Sequence, residues 1–236
     1  DFIVGWITDY VSKMPNPAKS LIVGVSGGID SALTSTLASM TGLRTFALSM
    51  PISTNSNNST LSSAHGKWLE GRFTNTTFMT IDLTSTYMEF NSLLTNSDQC
   101  SDLGFANTKS RLRMVTLYQV AAAQNGLVVG TGNKVEDFGV GFYTKYGDGG
   151  VDISPIADCN KTEVWELGKE LGILKEIIDA PPTDGLWDDG RTDEGQLGFK
   201  YSELEDAMGN PNSPHREQYE KIRNQNLHKM EPIPVC

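Results

Sequence analysis

The sequence predicts an α/β protein: a doubly wound parallel sheet with helices on both faces. Short apolar runs typical of buried strands alternate with longer segments that have helical spacing or helix caps. Leu21–Val25 and Leu127–Val129 are the clearest strands, and a glycine-rich turn follows each of them directly. Because ligands of such sheets bind beyond the carboxyl ends of the strands, both turns are expected at one cleft.

The other elements follow from apolar spacing and from glycine and proline breaks. A first helix carries Phe2, Trp6 and Tyr10 and ends before Pro15; these aromatics suit either the core or a subunit interface. Further strands are predicted at 44–50 and 73–81, with an extended piece at 151–156. Further helices are predicted at 31–40, 61–70, 109–124, 201–208 and 215–226, and two more begin at Thr86–Glu89 and Asn160–Glu163 capping boxes. Residues 51–60, 100–108 and 181–198 are predicted loops, and the last is long enough to be a lid.

Size and composition exclude several classes of function. A chain of 236 residues suffices for a single large domain with a substantial core. Its net charge of −10 argues against nucleic acid as a partner, since nucleic acid requires a basic face. The sequence shows no membrane span and no secretion signal. Three cysteines without metal-ligand spacing favour reduced thiols and a cytoplasmic location.

The segment Ser26–Ser31, with the sequence Ser-Gly-Gly-Ile-Asp-Ser, follows the first strand. Adjacent glycines let backbone N–H groups approach a phosphate, and the start of a helix adds partial positive charge. A carboxylate in such a cradle makes sense if Asp30 holds a divalent cation, Mg²⁺, that the phosphates share. The plainer alternative is a strand-to-helix turn in which Ser31 caps the helix.

Three later segments carry polar groups that could contact a ligand. Thr131, after the fourth strand, can donate its hydroxyl to a nucleotide, and Glu136 could complete the magnesium site with Asp30. Glu136 could also be a solvated helix carboxylate. Residues 142–152 place aromatics, a lysine and carboxylates between glycines, which suits a flat charged ligand or a glycine-rich connection with buried aromatics. Basic residues at 107–114 suit either a ligand or a solvated helix face.

The loop SGGxDS resembles the pyrophosphatase loop of the adenine nucleotide alpha-hydrolase-like superfamily; it is not a Walker A loop. With NxxxRxRM, GTGNxxE, FYTKYGDGGVD, NK, PPT and HK in that order, most of the chain resembles NAD synthetases. Residues 130–152 are the most discriminating part. The resemblance implies a Rossmann-like sheet, a homodimer, and the substrates ATP, deamido-NAD and ammonia.

The same resemblance implies a role for each matching residue. ATP would be bound by Gly24, Val25, Ser26, Gly27, Gly28, Ile29, Asp30, Ser31, Thr131, Lys161 and Thr183. Deamido-NAD would be bound by Arg111, Lys145, Asp152, His228 and Lys229. Magnesium would be held by Asp30 and Glu136, and Asp148 and Lys161 would take part in catalysis. Residues 53–59 are rich in Asn and Ser where the family has acidic residues or glutamine, so adenine contacts are not assigned there.

The implied reaction has two steps. The nicotinate carboxylate of deamido-NAD attacks the α-phosphate of ATP and releases pyrophosphate; ammonia then displaces AMP and gives NAD. Lys161 would stabilise charge on the pyrophosphate, and Asp148 would lie near the incoming ammonia. Free ammonia is expected, unless a separate chain delivers it, because the sequence has no room for a glutaminase domain. The alternatives are another ATP pyrophosphatase, such as the synthetase domain of GMP synthetase or a tRNA-thiolating enzyme, and a non-catalytic ATP-binding protein that releases no pyrophosphate.

Overall fold

The computed structural model describes residues 1–52, 57–187 and 189–236, and the side chains of all of these except residues 57–59. Most of the segment on which adenine contacts were considered, 53–59, therefore lies outside the description. In chain order the helices are α1 (Phe2–Lys13), α2 (Ile29–Met40), α3 (Asn57–Arg72), α4 (Thr84–Leu94), α5 (Asp102–Gln124), α6 (Lys161–Glu170), α7 (Lys175–Ile178), α8 (Asp193–Leu197), α9 (Tyr201–Gly209) and α10 (Arg216–Met230), with a π-helix at Lys134–Val140.

The sheet consists of parallel strands in the order β3-β2-β1-β4. They are β1 (Ser20–Gly24), β2 (Arg44–Ser49), β3 (Thr76–Thr80) and β4 (Gly126–Val129). A parallel bridge from Val129 to Ile153 places the extended piece beside β4. The chain winds outward from β1 to β3 and then returns to the other side of β1. The strand order therefore reverses between β1 and β4, and the two glycine-rich turns flank that point.

Helices cover both faces of the sheet, as the doubly wound fold requires. Successive side chains of a strand point to opposite faces. Leu21 and Val23 pack into one core with α1, α2, α6 and α7. Ile22 packs into the other core with Leu83, Leu112 and further residues of α5. The prediction of a doubly wound parallel sheet is confirmed.

A third apolar cluster joins the C-terminal helices to the π-helix. Val135 and Val140 of the π-helix pack against Leu197, Tyr201 and Leu204. No apolar periodicity predicted this junction, because its contacts join short elements that are far apart in the chain. The cluster places α8 and α9 over the segment that carries Glu136.

Several predicted boundaries are wrong. The predicted loop 100–108 is largely helical, because the Ser101 side chain caps α5 by accepting from the Gly104 amide. Thr86 does not open α4; that helix begins at Thr84, whose amide donates to Asp82. Helix α2 begins at Ile29 with Gly28 as N-cap, so Ser31 does not cap it. The Asn160–Glu163 capping box is confirmed.

Three further elements differ in extent from their predictions. Helix α3 begins at Asn57 rather than at 61, and α10 runs to Met230, so His228 and Lys229 lie in a helix rather than in a tail. The predicted loop 181–198 contains α8 at its end. Among the described residues, no helix combines the length and apolarity needed to cross a bilayer.

Replacing Gly66 with alanine is expected to destabilise the fold by about 1–3 kcal/mol, the usual cost of overpacking. A Cβ on Gly66 of α3 would lie 2.2 Å from the ring of Phe78 in β3. Gly71 of the same helix has nothing within 4 Å of a built Cβ, so Gly71→Ala should be neutral or stabilising. Thermal unfolding of both variants tests this. Equal melting temperatures would contradict the tight α3–β3 contact.

Candidate active site

The turn after β1 forms a cradle of backbone amides. Gly27 has a φ of 95°, a backbone conformation that residues other than glycine rarely adopt. The first intrahelical hydrogen bond of α2 runs from the Ala32 amide to the Gly28 carbonyl. The helix itself therefore does not use the N–H groups of residues 29–31, and they are available to bind an anion.

The two serines of the motif bond within the loop. Ser31 Oγ donates to the Gly28 carbonyl at 2.9 Å and accepts from the Ser26 amide at 3.1 Å. Ser26 Oγ lies 3.0 Å from Ser31 Oγ and accepts from the Gly28 amide. These hydroxyls shape the cradle. Val25 and Ile29 are buried in the core, so only their backbone could reach a nucleotide.

The two carboxylates predicted to share a cation converge. Lys161 Nζ donates to Asp30 Oδ2 at 2.5 Å and to Glu136 Oε1 at 2.8 Å. Lys161 is 2% exposed, while the side chains of Asp30 and Glu136 are 18% and 15% exposed. Three elements distant in sequence thus meet at one point beyond the carboxyl edge of the sheet, and Lys161 bonds the carboxylates.

The electrostatics of this cluster favour the charged forms of Lys161 and Glu136, whereas burial, partly offset by the Lys161 ammonium, raises the pKa of Asp30. Burial opposes charge on Lys161, but the two carboxylates outweigh it and raise the pKa of that ammonium. Burial would raise the pKa of Glu136, but the Lys161 ammonium and the Tyr201 hydroxyl outweigh it and lower the pKa. Lys161 and Glu136 are therefore both ionised near neutral pH.

Asn133 connects the two motifs, a role that the sequence analysis missed. It is fully buried, and its Nδ2 donates to Asp30 Oδ1 at 3.0 Å. Its Oδ1 accepts from the amides of Val135 and Glu136, both at 3.1 Å, and so caps the π-helix. The available signal was an asparagine at the N-cap position directly after Gly-Thr-Gly.

Tyr201 and Asp193, both also missed, support Glu136 from the C-terminal layer. The buried Tyr201 hydroxyl donates to Glu136 Oε1 at 2.5 Å. The Tyr201 hydroxyl oxygen also lies 3.2 Å from Asp193 Oδ2, and Asp193 Oδ1 has no hydrogen-bond partner among the residues that the structure describes. Burial, followed by the charge of Glu136, raises the pKa of Asp193 to about 7. No signal at the sequence level linked these residues to Glu136.

Asp137 adds another carboxyl group to the cleft. A Cβ on Gly132 would lie 1.8 Å from Asp137 Oδ2, so the carboxyl group occupies the space that this glycine leaves. Burial and the neighbouring charges of Glu136, Asp148 and Asp30 raise the pKa of Asp137 well above its usual range. This raised pKa favours the protonated form of Asp137 and so limits the negative charge that it adds beside Asp30 and Glu136.

Asp148 fastens the glycine-rich loop that follows the π-helix. Its Oδ1 accepts from Ser110 Oγ at 2.7 Å and from the Thr144 amide at 3.0 Å. Asp148 is exposed to solvent, but nearby protein atoms desolvate its carboxyl group, and this desolvation raises the pKa of Asp148. Tyr146 in the same loop has a φ of 61°, a strained conformation that is often found at functional sites.

Four of the five residues predicted to bind deamido-NAD lie together. Arg111 donates to the Lys145 carbonyl at 3.4 Å, and Lys145 Nζ donates to the His228 carbonyl at 2.8 Å. Lys229 Nζ donates to the Tyr143 carbonyl at 2.8 Å. These contacts bring α5, the glycine-rich loop and α10 together as a basic wall.

Asp152 is held elsewhere. Its Oδ2 accepts from the Val128 amide at 2.8 Å and its Oδ1 from the Tyr118 hydroxyl at 3.1 Å. Burial and the charge of Asp152 raise the pKa of Tyr118 to about 12. These two hydrogen bonds hold the extended segment at 151–156 beside β4. Asp152 therefore stabilises the edge of the sheet through these bonds, and its contact with the dinucleotide stays a prediction.

The remaining predicted ATP-binding residues lie at the same edge or on the loop before α8. Thr131 is half-buried at the carboxyl end of β4, and Thr183 is exposed on the loop. Lys109 anchors that loop by donating to the Leu186 carbonyl at 2.9 Å. Arg113, which the sequence analysis placed only within a basic stretch, donates to the Met50 carbonyl at the end of β2 at 3.1 Å.

The residues fit magnesium shared with phosphates. Among the described residues, no group of three or more His, Cys, Asp or Glu side chains could hold a metal. Mg²⁺ is usually bound through one or two carboxylates and substrate phosphate oxygens. Asp30 and Glu136 already share one cation position beside an anion cradle, which is the arrangement that this mode requires.

Comparison with known proteins decides the family. The NAD synthase family model matches residues 1–233. The chain belongs to the NAD synthase family. An NH₃-dependent NAD⁺ synthetase from Carboxydothermus hydrogenoformans is 37% identical over 206 residues, which are 86% of this chain and 81% of that protein.

Solved structures of NAD synthase relatives agree with the fold. An NMN synthetase from Francisella tularensis matches with a TM-score of 0.89 and 34% identity, covering 100% of this chain and 95% of the other. An NH₃-dependent NAD synthetase from Campylobacter jejuni matches with a TM-score of 0.79 and 25% identity, covering 100% and 96%. The adenine nucleotide alpha-hydrolase-like fold is confirmed.

Membership in the NAD synthase family also confirms the predicted activity class. The family consists of ligases that form a C–N bond with ATP as co-substrate, and the NH₃-dependent relatives take ammonia as the nitrogen donor. The chain is therefore an enzyme of NAD biosynthesis rather than a passive ATP-binding protein. The residue roles inferred above stay predictions.

Proposed function

We propose that this cleft adenylylates the nicotinate carboxylate of deamido-NAD and then amidates it with ammonia, using ATP and Mg²⁺. The observation that carries the proposal is the convergence of Asp30 and Glu136 on one cation position beside the amide cradle. A bound Mg²⁺ would neutralise phosphate charge and so favour departure of pyrophosphate. Asp30 and Glu136 would hold it.

The chain's own residues supply binding and orientation. The amides at the start of α2 would bind phosphate oxygens, and Lys161 is close enough to exchange a carboxylate for a phosphate partner. The basic wall of Arg111, Lys145 and Lys229 suits the phosphates and carboxylate of the second substrate. No covalent nucleophile is needed, because catalysis by positioning and charge neutralisation is sufficient for phosphate chemistry.

Asp148 is proposed to lie near the incoming ammonia. Asp148→Asn keeps an oxygen that can accept from Ser110 and Thr144 but removes the charge, whereas Asp148→Ala removes both bonds. We expect the alanine variant to lose the order of the loop and to have a raised KM for the dinucleotide. We expect the asparagine variant to bind normally with lower kcat. Full turnover by Asp148→Asn in steady-state assays would remove Asp148 from any essential role.

A second candidate substrate is the deamido form of nicotinamide mononucleotide. The likeness to an NMN synthetase, with a TM-score of 0.89, favours it specifically. Both substrates present the same nicotinate carboxylate, so the chemistry at Asp30 and Lys161 would be unchanged. The difference lies in whether the wall around Lys145 and Lys229 also receives the adenylate half.

The test is pyrophosphate release from ATP and Mg²⁺, with deamido-NAD or nicotinate mononucleotide supplied separately. Product should form only when ammonium is added, and glutamine should not replace it. Release that depends on deamido-NAD, with NAD as product, supports the first proposal. A higher kcat/KM with the mononucleotide would support the second. ATP binding without pyrophosphate release under every condition would contradict both.

Assembly and location are proposed on separate grounds. Phe2, Trp6 and Tyr10 are 84%, 40% and 43% exposed, so they do not belong to the core, and this supports the predicted homodimer. Cys100, Cys159 and Cys236 are free thiols, which supports a reducing, cytoplasmic location. Two of them are exposed rather than buried. The net charge of −10 continues to argue against nucleic acid.

A further inference from the structure

Lys161 occupies the place where the two carboxylates would share a cation. Its Nζ lies 2.5 Å from Asp30 Oδ2 and 2.8 Å from Glu136 Oε1. Metal–oxygen distances for Mg²⁺ are about 2.0–2.1 Å. A metal ion bound to both of these oxygens would therefore take the space of the Lys161 ammonium, and the two cations cannot be present together. One of the two cations must leave before the other binds.

The surroundings of Lys161 are built to keep it there. It is the first residue of α6, and its ammonium lies over the rings of Tyr201 at 4.8 Å and Trp165 at 5.9 Å. The helix is fixed at its start, because Thr162 bonds to Glu205 of α9 through both its amide and its hydroxyl. A cation in this enclosed position is costly to withdraw unless another partner receives it.

The carboxylates are also held in place without a metal. Asn133 holds the second oxygen of Asp30 and caps the helix of Glu136, and Tyr201 donates to Glu136. Two partly buried carboxylates that share one partner repel each other unless a cation lies between them. Lys161 supplies that charge, so the metal site is preformed but filled by the protein's own side chain.

We propose that Lys161 holds the metal position in the nucleotide-free enzyme and yields it only when nucleotide phosphates arrive to receive its ammonium. The inference rests on the proposed function, because it takes Asp30 and Glu136 as the metal ligands. It makes metal and nucleotide binding mutually dependent through one side chain. By linkage, the metal must strengthen nucleotide binding by the same factor by which the nucleotide strengthens metal binding.

The experiment uses Mn²⁺ as the probe and measures protein-bound metal by water-proton relaxation. The affinity for Mn²⁺ is measured first without substrate and then with an ATP analogue that carries a methylene between the α- and β-phosphates. We expect the wild type to bind Mn²⁺ weakly alone and about tenfold or more tightly with the analogue. Lys161→Met should bind Mn²⁺ without the analogue about tenfold or more tightly than the wild type does, because no buried ammonium competes.

Two control variants localise the effect. Lys134→Met removes an ammonium that pairs with exposed Asp158 at 3.1 Å, and it should bind Mn²⁺ as the wild type does. Lys161→Met combined with Glu136→Gln should lose the tighter binding. If Lys134→Met gains affinity as strongly as Lys161→Met, general loss of positive charge explains the result and the proposal fails.

Other outcomes are equally decisive. Equal Mn²⁺ affinity of the wild type with and without the analogue would overturn the proposal, and this arm does not depend on whether Lys161→Met folds. Unchanged Mn²⁺ affinity in a folded Lys161→Met would overturn it as well. None of these measurements requires turnover, so the separate assay for NAD formation shows independently whether the proposed function itself has failed.

Discussion

Asp30→Asn is expected to reduce pyrophosphate release about a thousandfold, the scale on which preorganised charge acts in active sites. The substitution keeps the size of the side chain but removes the charge that the proposed metal needs. The amide oxygen can accept from Asn133 or from Lys161, but it cannot serve both as the carboxylate does. We therefore expect loss of turnover without loss of the fold.

The measurement is a steady-state assay at saturating ATP and Mg²⁺, together with a thermal melt. The matched control is Asp9→Asn, since Asp9 pairs with Lys13 on the exposed surface of α1. An exposed pair one turn apart contributes little, so this control should keep both activity and melting temperature. Turnover by Asp30→Asn within a few fold of the wild type would show that Asp30 is not a required ligand.

The convergence of Asp30 and Glu136 was predictable because topology alone dictates it. Each carboxylate follows an apolar strand by a few residues, and the ends of adjacent parallel strands must meet at one edge. The strand pairing of β1 with β4 then places the two motifs side by side. The order of motifs was enough to predict this without any knowledge of side-chain contacts.

The contacts that adjust the site were not predictable in the same way. Asn133, Tyr201 and Asp193 act through single hydrogen bonds between elements that are far apart in sequence. Such bonds leave no periodicity. Lys161 was assigned to phosphate from the family resemblance, but without nucleotide its nearest partners are the two carboxylates. The beginning of α5 depended on one capping serine that precedes a stretch without apolar repetition.

Asp193→Asn is expected to stabilise the protein at pH 8 and to have a much smaller stabilising effect at pH 5. The Tyr201 hydroxyl has one proton, which goes to Glu136 at 2.5 Å, so the contact with Asp193 at 3.2 Å is best satisfied by a neutral acid that donates to the tyrosine oxygen. An asparagine amide can donate in the same direction. The variant therefore resembles the protonated form of Asp193.

The direction of this pH dependence follows from the difference in the pKa of Asp193 between the folded and unfolded protein. Burial and the charge of Glu136 raise the pKa of Asp193 to about 7 in the folded protein, above the ordinary value for an aspartate of about 3.9, so folding favours its protonated form. The stability that it contributes is complete below the unfolded pKa and is lost as pH rises through the folded one. Wild-type stability should decline on this account between about pH 4 and pH 7 by an amount on the order of 2–4 kcal/mol.

Melting temperatures of the wild type and Asp193→Asn from pH 5 to pH 8 check this directly. Subtracting the two melting temperatures at each pH removes the contribution of every group that titrates equally in both proteins. We expect the difference to grow with pH to several degrees, since about 2–4 °C accompany each kcal/mol in a chain of this size. A constant difference across the range would mean that Asp193 ionises in the folded state as it does in the unfolded one, and the proton between Asp193 and Tyr201 would then have to come from the tyrosine.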